Sequence, residues 1–115
     1  MLTIWHNPRC SKSRQTLALL EASNMAFTVR RYLEDHPNRQ EIGSIITQIG
    51  LSDPKLMMRK GETRYKELGL KAVSDPASLI QAMAENPILI ERPIVSNGSK
   101  AIIGRPPEAV KSLLQ

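Results

Sequence analysis

The chain has 115 residues and a formal net charge of +5, with 41% hydrophobic and 23% charged residues. This length suits one domain and is too short for two separate cores, and the composition excludes a disordered or fibrous protein. Aromatic residues make up only 3%, too few for the stacking surfaces of single-strand binders, so the positive charge favours an anionic ligand and makes nucleic acid unlikely as a partner.

The first predicted elements form a βαβ unit. Residues 2–5 alternate in polarity and lead into the turn-forming residues 6–8, which predicts a short strand. Helix-forming residues follow from Ser11 to about Ser23, and β-branched and aromatic residues at 27–33 predict a second strand. A strand, a helix and a strand in this order are typical of parallel pairing.

The middle of the chain is predicted to be helical. Asn38 and Glu41 form a capping pair ahead of isoleucines at helical spacing, which predicts a helix. Two Asp-Pro pairs predict short helices over about 54–59 and 76–85, and residues 62–68 are expected to add a turn or two.

The last part of the chain predicts a hairpin and a helix. Apolar segments at 94–95 and 101–103 flank Asn97-Gly98, the strongest short hairpin signal. Pro106-Pro107 then predicts a final helix with one apolar face.

This order of elements predicts the α/β fold class. We expect a single domain over residues 1–115 with a thioredoxin-like (glutaredoxin-like) fold. It would have a mixed four-stranded sheet and a helical insertion at roughly 38–86.

The only cysteine of the chain is Cys10. A lone cysteine excludes a disulfide within the chain and removes the usual reason for export to an oxidising compartment. No apolar run approaches the roughly 18 residues of a membrane helix, and the N-terminal residues lack the apolar segment of a secretory signal. We therefore expect a cytoplasmic protein without a membrane anchor, in which any disulfide of Cys10 is with another molecule.

The position of Cys10 favours a reactive thiolate. It lies between the first predicted strand and helix, where free N–H groups and the helix dipole lower a thiol pKa. Arg9, Lys12 and Arg14 add positive potential, and a protonated His6 would add more. The alternative is a small buried apolar residue, but the neighbours of Cys10 are polar or turn-forming, which favours the nucleophile.

Two neighbours of Cys10 are candidates for tuning its thiol, together with Arg14. Ser13 stands where a C-x-x-C motif would carry its second sulfur, and a hydroxyl can bond a thiolate but cannot resolve a disulfide. Turnover would therefore need an external thiol. His6 is either such a tuning residue or an ordinary capping or surface histidine.

Five motifs follow one another along the chain. They are H-N-P-R-C-S-K-S-R at 6–14, L-M-M-R-K at 56–60, E-L-G-L at 67–70, N-P-I-L-I-E-R-P-I-V at 86–95 and G-R-P-P-E at 104–108. As a set they resemble the glutaredoxin-coupled ArsC arsenate reductase family over essentially the whole chain. The first motif differs from that of the plasmid-type members, in which Gly-Thr-Ser-Arg follows the cysteine, and this indicates a separate subgroup.

The resemblance implies roles for several residues. The cysteine matching Cys10 attacks arsenate, and arginines matching Arg59, Arg92 and Arg105 bind the oxyanion and stabilise the intermediates. Guanidinium groups suit this task because they hold tetrahedral oxyanions by paired, charge-assisted hydrogen bonds. Lys60 is an alternative to Arg59.

The resemblance also implies a cis peptide bond before Pro93, beside the cysteine. The resemblance further implies that glutathione is the reductant of the enzyme and that glutaredoxin frees the cysteine from the mixed disulfide. No metal and no bound cofactor would be needed.

Two other functions stay open and one is excluded. A glutathione-dependent thiol-disulfide reductase on the same fold would act on mixed disulfides. A transcription regulator like the related Spx proteins would bind RNA polymerase, but those proteins typically carry C-x-x-C where this chain has C-x-x-S. A low-molecular-weight phosphatase is excluded because its C-x5-R loop would need an arginine where Thr16 stands.

Overall fold

The computed structural model describes residues 1–114. Its strands are β1 (Leu2–Trp5), β2 (Phe27–Arg30), β3 (Ile94–Ser96) and β4 (Ala101–Ile103). Its α-helices are α1 (Ser11–Ala22), α2 (Arg39–Ile49), α3 (Thr63–Glu67) and α4 (Pro76–Glu85). Short 3₁₀ helices span Pro54–Met57, Leu70–Ala72, Pro87–Leu89 and Pro107–Leu113. Among these helices, none is both long enough and apolar enough to cross a membrane.

The strands form one mixed sheet in the order β2-β1-β3-β4. β1 pairs in parallel with β2, from Leu2 opposite Phe27 to Trp5 opposite Arg30. It pairs antiparallel with β3, and β3 pairs antiparallel with β4. The sheet confirms the predicted α/β class and the mixed, four-stranded arrangement.

The two faces of the sheet are covered by different helices. Leu2 and Ile4 of β1 pack with Leu20 of α1 and with Val110 of the last helix. Trp5 belongs to the larger cluster on the other side, which includes the buried residues of α2 and α4. Alternate residues of β1 thus lie on opposite faces of the sheet and belong to different hydrophobic clusters, because successive side chains of a strand point to opposite sides.

The predicted caps of α2 are confirmed. The side chain of Asn38 accepts a hydrogen bond from the Glu41 N–H group at 2.8 Å, and the Glu41 carboxylate accepts one from the Asn38 N–H group at 3.0 Å. The helix ends at Gly50, whose φ of 85° is the left-handed conformation that glycine adopts without strain.

β2 differs from the prediction in extent, whereas the predicted hairpin around Asn97-Gly98 is present. β2 ends at Arg30 instead of residue 33, because its partner β1 ends at Trp5 and only the His6 N–H group continues the pairing, at 2.8 Å from the Arg30 carbonyl oxygen. The hairpin loop spans residues 97–100, because the Asn97 side chain accepts hydrogen bonds from the N–H groups of Ser99 and Lys100.

The final helix is a 3₁₀ helix, so its predicted apolar face has a different period. Its buried residues are Pro107, Val110 and Leu113, which recur at every third position. A 3₁₀ helix has about three residues per turn, so this spacing places all of them on the side that faces the sheet.

Candidate active site

The register of the sheet brings three distant segments to one edge. Trp5, the last residue of β1, lies opposite Ile94, the first residue of β3, and Ile94 lies opposite Ile103, the last residue of β4. Three pieces of chain therefore lie side by side at this end of the sheet. They are the loop that follows β1, the segment before β3 with Arg92, and the segment after β4 with Arg105. The cysteine and two of the candidate arginines meet for this reason.

Arg59 joins this group through a short backbone bridge. Its N–H group donates to the carbonyl oxygen of Leu89 at 2.8 Å, and the Glu91 N–H group donates to that of Met57 at 2.7 Å. The bridge fixes the chain before Arg59 beside the chain before Arg92. The structure thus brings together all three arginines to which the resemblance assigns oxyanion binding.

The arginines line one open cavity of about 550 Å³. Its charged lining residues are Lys55, Arg59, Lys60, Glu62, Glu91, Arg92 and Arg105. Five of these are basic and two are acidic, so the cavity has an excess of positive charge that suits an anion. Lys60 lies in the same lining as Arg59, so both alternatives for the third cation are present.

Cys10 is the N-cap residue of α1, and it is 8% exposed. The Arg105 Nη2 group lies 3.5 Å from its Sγ atom and donates a hydrogen bond to it. The carbonyl oxygen of Cys10 accepts from the Arg14 N–H group at 3.0 Å, so the residue is held by the first turn of the helix. Cys10 therefore lies at the N-terminus of α1, with a guanidinium beside its sulfur.

The surroundings of Cys10 favour its ionised form. Burial raises the pKa of the Cys10 thiol, but the backbone N–H group of Ser13, the charge of Arg92 and the N–H group of Lys12 lower it by more, and the pKa lies below its ordinary value. Lys12 thus contributes through its backbone. The predicted thiolate is supported by the geometry as well as by the position in the sequence.

His6 and Ser13 form a buried pair behind the cysteine loop. His6 Nδ1 and Ser13 Oγ share a hydrogen bond of 2.7 Å, and Ser13 Oγ also accepts from the Asn7 N–H group at 3.0 Å. Burial, followed by the charges of Arg31 and Arg14, lowers the pKa of His6, so its neutral form is favoured. The neutral ring does not supply the positive charge that a protonated His6 would have added, and its link to the cysteine loop runs through Ser13.

Arg14 holds the backbone of the cysteine loop. Its Nη1 group donates to the carbonyl oxygen of Pro8 at 2.9 Å, and its side chain is otherwise exposed. Arg14 therefore fixes the shape of the turn that leads into Cys10.

The peptide bond between Arg92 and Pro93 is cis, as the resemblance implies, and a second cis bond joins Arg105 to Pro106. The Pro93 carbonyl oxygen accepts from the Gly104 N–H group at 2.9 Å. A Cβ atom on Gly104 would lie 2.8 Å from Pro93 Cγ and 2.7 Å from Thr16 Oγ1. Glycine at this position lets the Arg105 segment lie directly against Pro93.

Glu91 is a site residue that the sequence interpretation missed. Its Oε1 atom lies 3.2 Å from Arg92 Nη1 and 3.2 Å from Arg105 Nε, and Arg105 Nε also donates to the Arg92 carbonyl oxygen at 2.8 Å. Arg59 is paired with Glu62 at 3.1 Å. The carboxylates reduce repulsion between the arginines and fix their directions. The position of Glu91 directly before Arg92 was the available signal.

Residues 1–114 contain no group of three or more His, Cys, Asp or Glu side chains placed to hold a metal ion. The charged groups at the site are instead suited to an anion.

A single cysteine at the start of α1, beside an arginine-lined cavity on a mixed four-stranded sheet, defines a thioredoxin-like thiol protein. The family model described as "ArsC family" matches residues 5–113, and the chain belongs to this family.

Proteins similar to this chain include arsenate reductases. The arsenate reductase of Haemophilus influenzae is 46% identical over 96% of this chain and 97% of its own length. That of Neisseria meningitidis serogroup A is 44% identical over 98% of this chain and 97% of its own length. The solved structure of an arsenate reductase from Vibrio cholerae superimposes with a TM-score of 0.92 at 50% identity, covering 96% of this chain and 95% of that one. Membership of the ArsC family and the thioredoxin-like fold are confirmed.

Proposed function

We propose that the protein is an arsenate reductase in which the Cys10 thiolate attacks arsenate held by Arg92, Arg105 and Arg59. The observation that carries this proposal is the 3.5 Å contact between Arg105 Nη2 and Cys10 Sγ at the edge of the arginine-lined cavity. The arsenate reductases that are 44–46% identical to the chain support arsenate as the oxyanion.

Binding and attack follow from this arrangement. An oxyanion that replaces the thiolate as the partner of Arg105 stays within reach of the sulfur, and Arg92 and Arg59 neutralise its remaining charge. The Cys10 thiolate then forms a sulfur–arsenic bond, and a hydroxyl oxygen of arsenate takes a proton from solvent, breaks its bond to arsenic and leaves as water. The N–H groups at the start of α1 stabilise the thiolate before the attack.

The reducing step needs a second thiol. A glutathione thiolate attacks Cys10 Sγ, a sulfur–sulfur bond forms, and the electron pair of the sulfur–arsenic bond leaves with arsenic, which becomes trivalent arsenite. Glutaredoxin then takes the glutathione from the mixed disulfide and frees Cys10. An external thiol is required because Cys10 is the only cysteine and the Ser13 hydroxyl is bonded to His6. A reducing cytoplasm would supply these thiols.

A second cavity supports glutathione as the reductant. It measures about 570 Å³ and is lined by Lys55, Lys60, Tyr65, Lys66, Gly69 and Lys71. Lys55 and Lys60 also line the arginine-rich cavity, so the two spaces are adjacent. Ammonium groups in a cavity of this size suit the two carboxylates of glutathione.

The test is steady-state arsenite formation from arsenate with glutathione and glutaredoxin, compared with reduction of a glutathione mixed disulfide under the same conditions. We expect saturable dependence on arsenate. Activity on the mixed disulfide alone would instead establish the thiol-disulfide reductase. A neutral thiol, 2-mercaptoethanol, serves as the matched comparison for glutathione and should give a higher KM.

A further inference from the structure

Tyr32 carries a buried hydroxyl group without a partner. The residue is 1% exposed, and its Oη atom makes no hydrogen bond. Within residues 1–114, one other buried side-chain nitrogen or oxygen atom shares this property, the Nε atom of Arg92. Most buried polar groups are hydrogen-bonded, so two exceptions in one region call for a physical reason.

The chain path places Tyr32 at the candidate active site. It lies two residues beyond the end of β2, at the sheet edge where the parallel strand β1 leads into the cysteine loop. It belongs to the same hydrophobic cluster as Met57 and Ile90, which lie in the backbone bridge between the arginine segments. Tyr32 therefore shares a buried cluster with the chain segments that lead to Arg59 and Arg92.

The electrostatic surroundings of the hydroxyl agree with this position. Burial raises the pKa of Tyr32 to about 12, and the charges of Arg92 and Arg59 lower it while those of Cys10 and Glu91 raise it. The phenol therefore stays protonated and neutral at physiological pH. Its oxygen can accept a hydrogen bond from a guanidinium without removing the positive charge that an oxyanion needs.

Stabilisation of the fold does not account for the Tyr32 hydroxyl group. A buried hydroxyl without a partner destabilises the folded state, and phenylalanine would fill the same volume without this penalty. The neighbouring Arg92 already uses Nη1 for Glu91, at 3.2 Å, while its Nε–H group is unpaired. A donor and an acceptor that lack partners thus lie in the same region of the site.

We propose that Tyr32 is a positioning residue for Arg92. When the guanidinium turns to grip the bound oxyanion, Tyr32 Oη accepts the Nε–H group of Arg92, and Glu91 keeps Nη1, so that Nη2 is directed at the anion. This inference rests on the proposed binding of arsenate by Arg92. It assigns to the ligand-bound state the hydrogen bond that both atoms lack in the free protein.

The test is a double-mutant cycle with Tyr32→Phe and Arg92→Lys, since lysine has no Nε–H group in that position. The readout is the arsenate concentration that half-protects Cys10 from iodoacetamide, with the melting temperature measured alongside. Tyr32→Phe should raise the half-protecting concentration about ten-fold, the equivalent of one hydrogen bond to a charged group, without lowering the melting temperature. In the Arg92→Lys background the same change should have little effect.

The cycle separates the possible outcomes. An equal effect of Tyr32→Phe in both backgrounds would mean that the hydroxyl touches the anion directly, and would overturn the proposal. A lower melting temperature with unchanged protection would overturn it as well, since the hydroxyl would then be structural. Protection without any arsenite formation by the wild type would refute the proposed reductase while leaving the assignment of Tyr32 standing.

Discussion

Arg105 Nη2 lies 3.5 Å from Cys10 Sγ although 95 residues separate them in the chain. The contact follows from the sheet, because β3 links the end of β1 to the end of β4. Arg105 is oriented from its other side by Glu91 and by the carbonyl oxygen of Arg92. A guanidinium held in this way keeps its remaining N–H groups directed at the sulfur and at any anion that binds there.

Replacing Arg92 by glutamine should raise the pKa of Cys10. Burial raises this pKa, whereas the Ser13 N–H group and the charge of Arg92 lower it, and the substitution removes the charge while leaving the other two effects in place. The pH dependence of alkylation by iodoacetamide measures the change, and its midpoint should move to higher pH. Arg64→Gln, at an exposed arginine of α3, is the matched control. An unchanged midpoint in Arg92→Gln would contradict the electrostatic account.

Gly104→Ala should destabilise the protein. The new Cβ atom would lie 2.7 Å from Thr16 Oγ1 and 2.8 Å from Pro93 Cγ, and overpacking of this kind costs about 1–3 kcal/mol. Gly43→Ala in α2 is the matched control, because a Cβ there meets nothing within 4 Å and alanine favours a helix by about 0.5–1 kcal/mol. Measured by urea unfolding, the free energy of unfolding should fall in Gly104→Ala and rise in Gly43→Ala. Equal changes in the two variants would show that Gly104 is not a point of close approach.

The stability of the protein should fall as the pH falls below about 6.5, through protonation of His6. Burial, with Arg31 and Arg14, lowers the pKa of His6 in the folded state, so the unfolded state binds the proton more readily. The loss of stability begins near the pKa of His6 in the unfolded state and is complete below the pKa of His6 in the folded state. Unfolding free energies across this range should depend less on pH in His6→Gln. His36→Gln, at the exposed second histidine, should leave the dependence in place, and a reversed order would refute the assignment.

Ser13→Ala should weaken the cysteine loop. The Ser13 hydroxyl bonds both His6 Nδ1 and the Asn7 N–H group, and its removal leaves buried groups without partners, at about 1–3 kcal/mol in the free energy of unfolding. Ser112→Ala, at an exposed serine near the end of the chain, should have almost no effect. Equal stability of the two variants would mean that the buried pair does not hold the loop.

The features that were predicted correctly are those that depend on residues close together in the sequence. The capping pair of Asn38 and Glu41 and the end of β1 before the cysteine turn are local, and each is present. The last residue of β2 depends on where β1 ends, so β-branched residues alone overestimated its length. The final segment forms a 3₁₀ helix in which every third side chain is buried. This spacing depends on packing against the sheet and α1, which the local sequence does not specify.

The candidate site was predicted where it coincided with motifs. Cys10 and the three arginines lie in such motifs, and the structure brings them together. The position of Glu91 beside Arg92 is a local signal for their ion pair, but nothing local indicates its second contact, with Arg105 fourteen residues away. Tyr32 has no local signal, because its role is inferred from a buried hydroxyl group without a partner. Residues of this kind are found from the assembled site.

The most direct test of the central claim is arsenite formation from arsenate by wild type and Cys10→Ser, with glutathione and glutaredoxin present in both. The serine hydroxyl is not ionised at neutral pH and cannot form the sulfur–arsenic bond, so the variant should release no arsenite above the rate without enzyme. Arsenite release by Cys10→Ser at the wild-type rate would contradict the account.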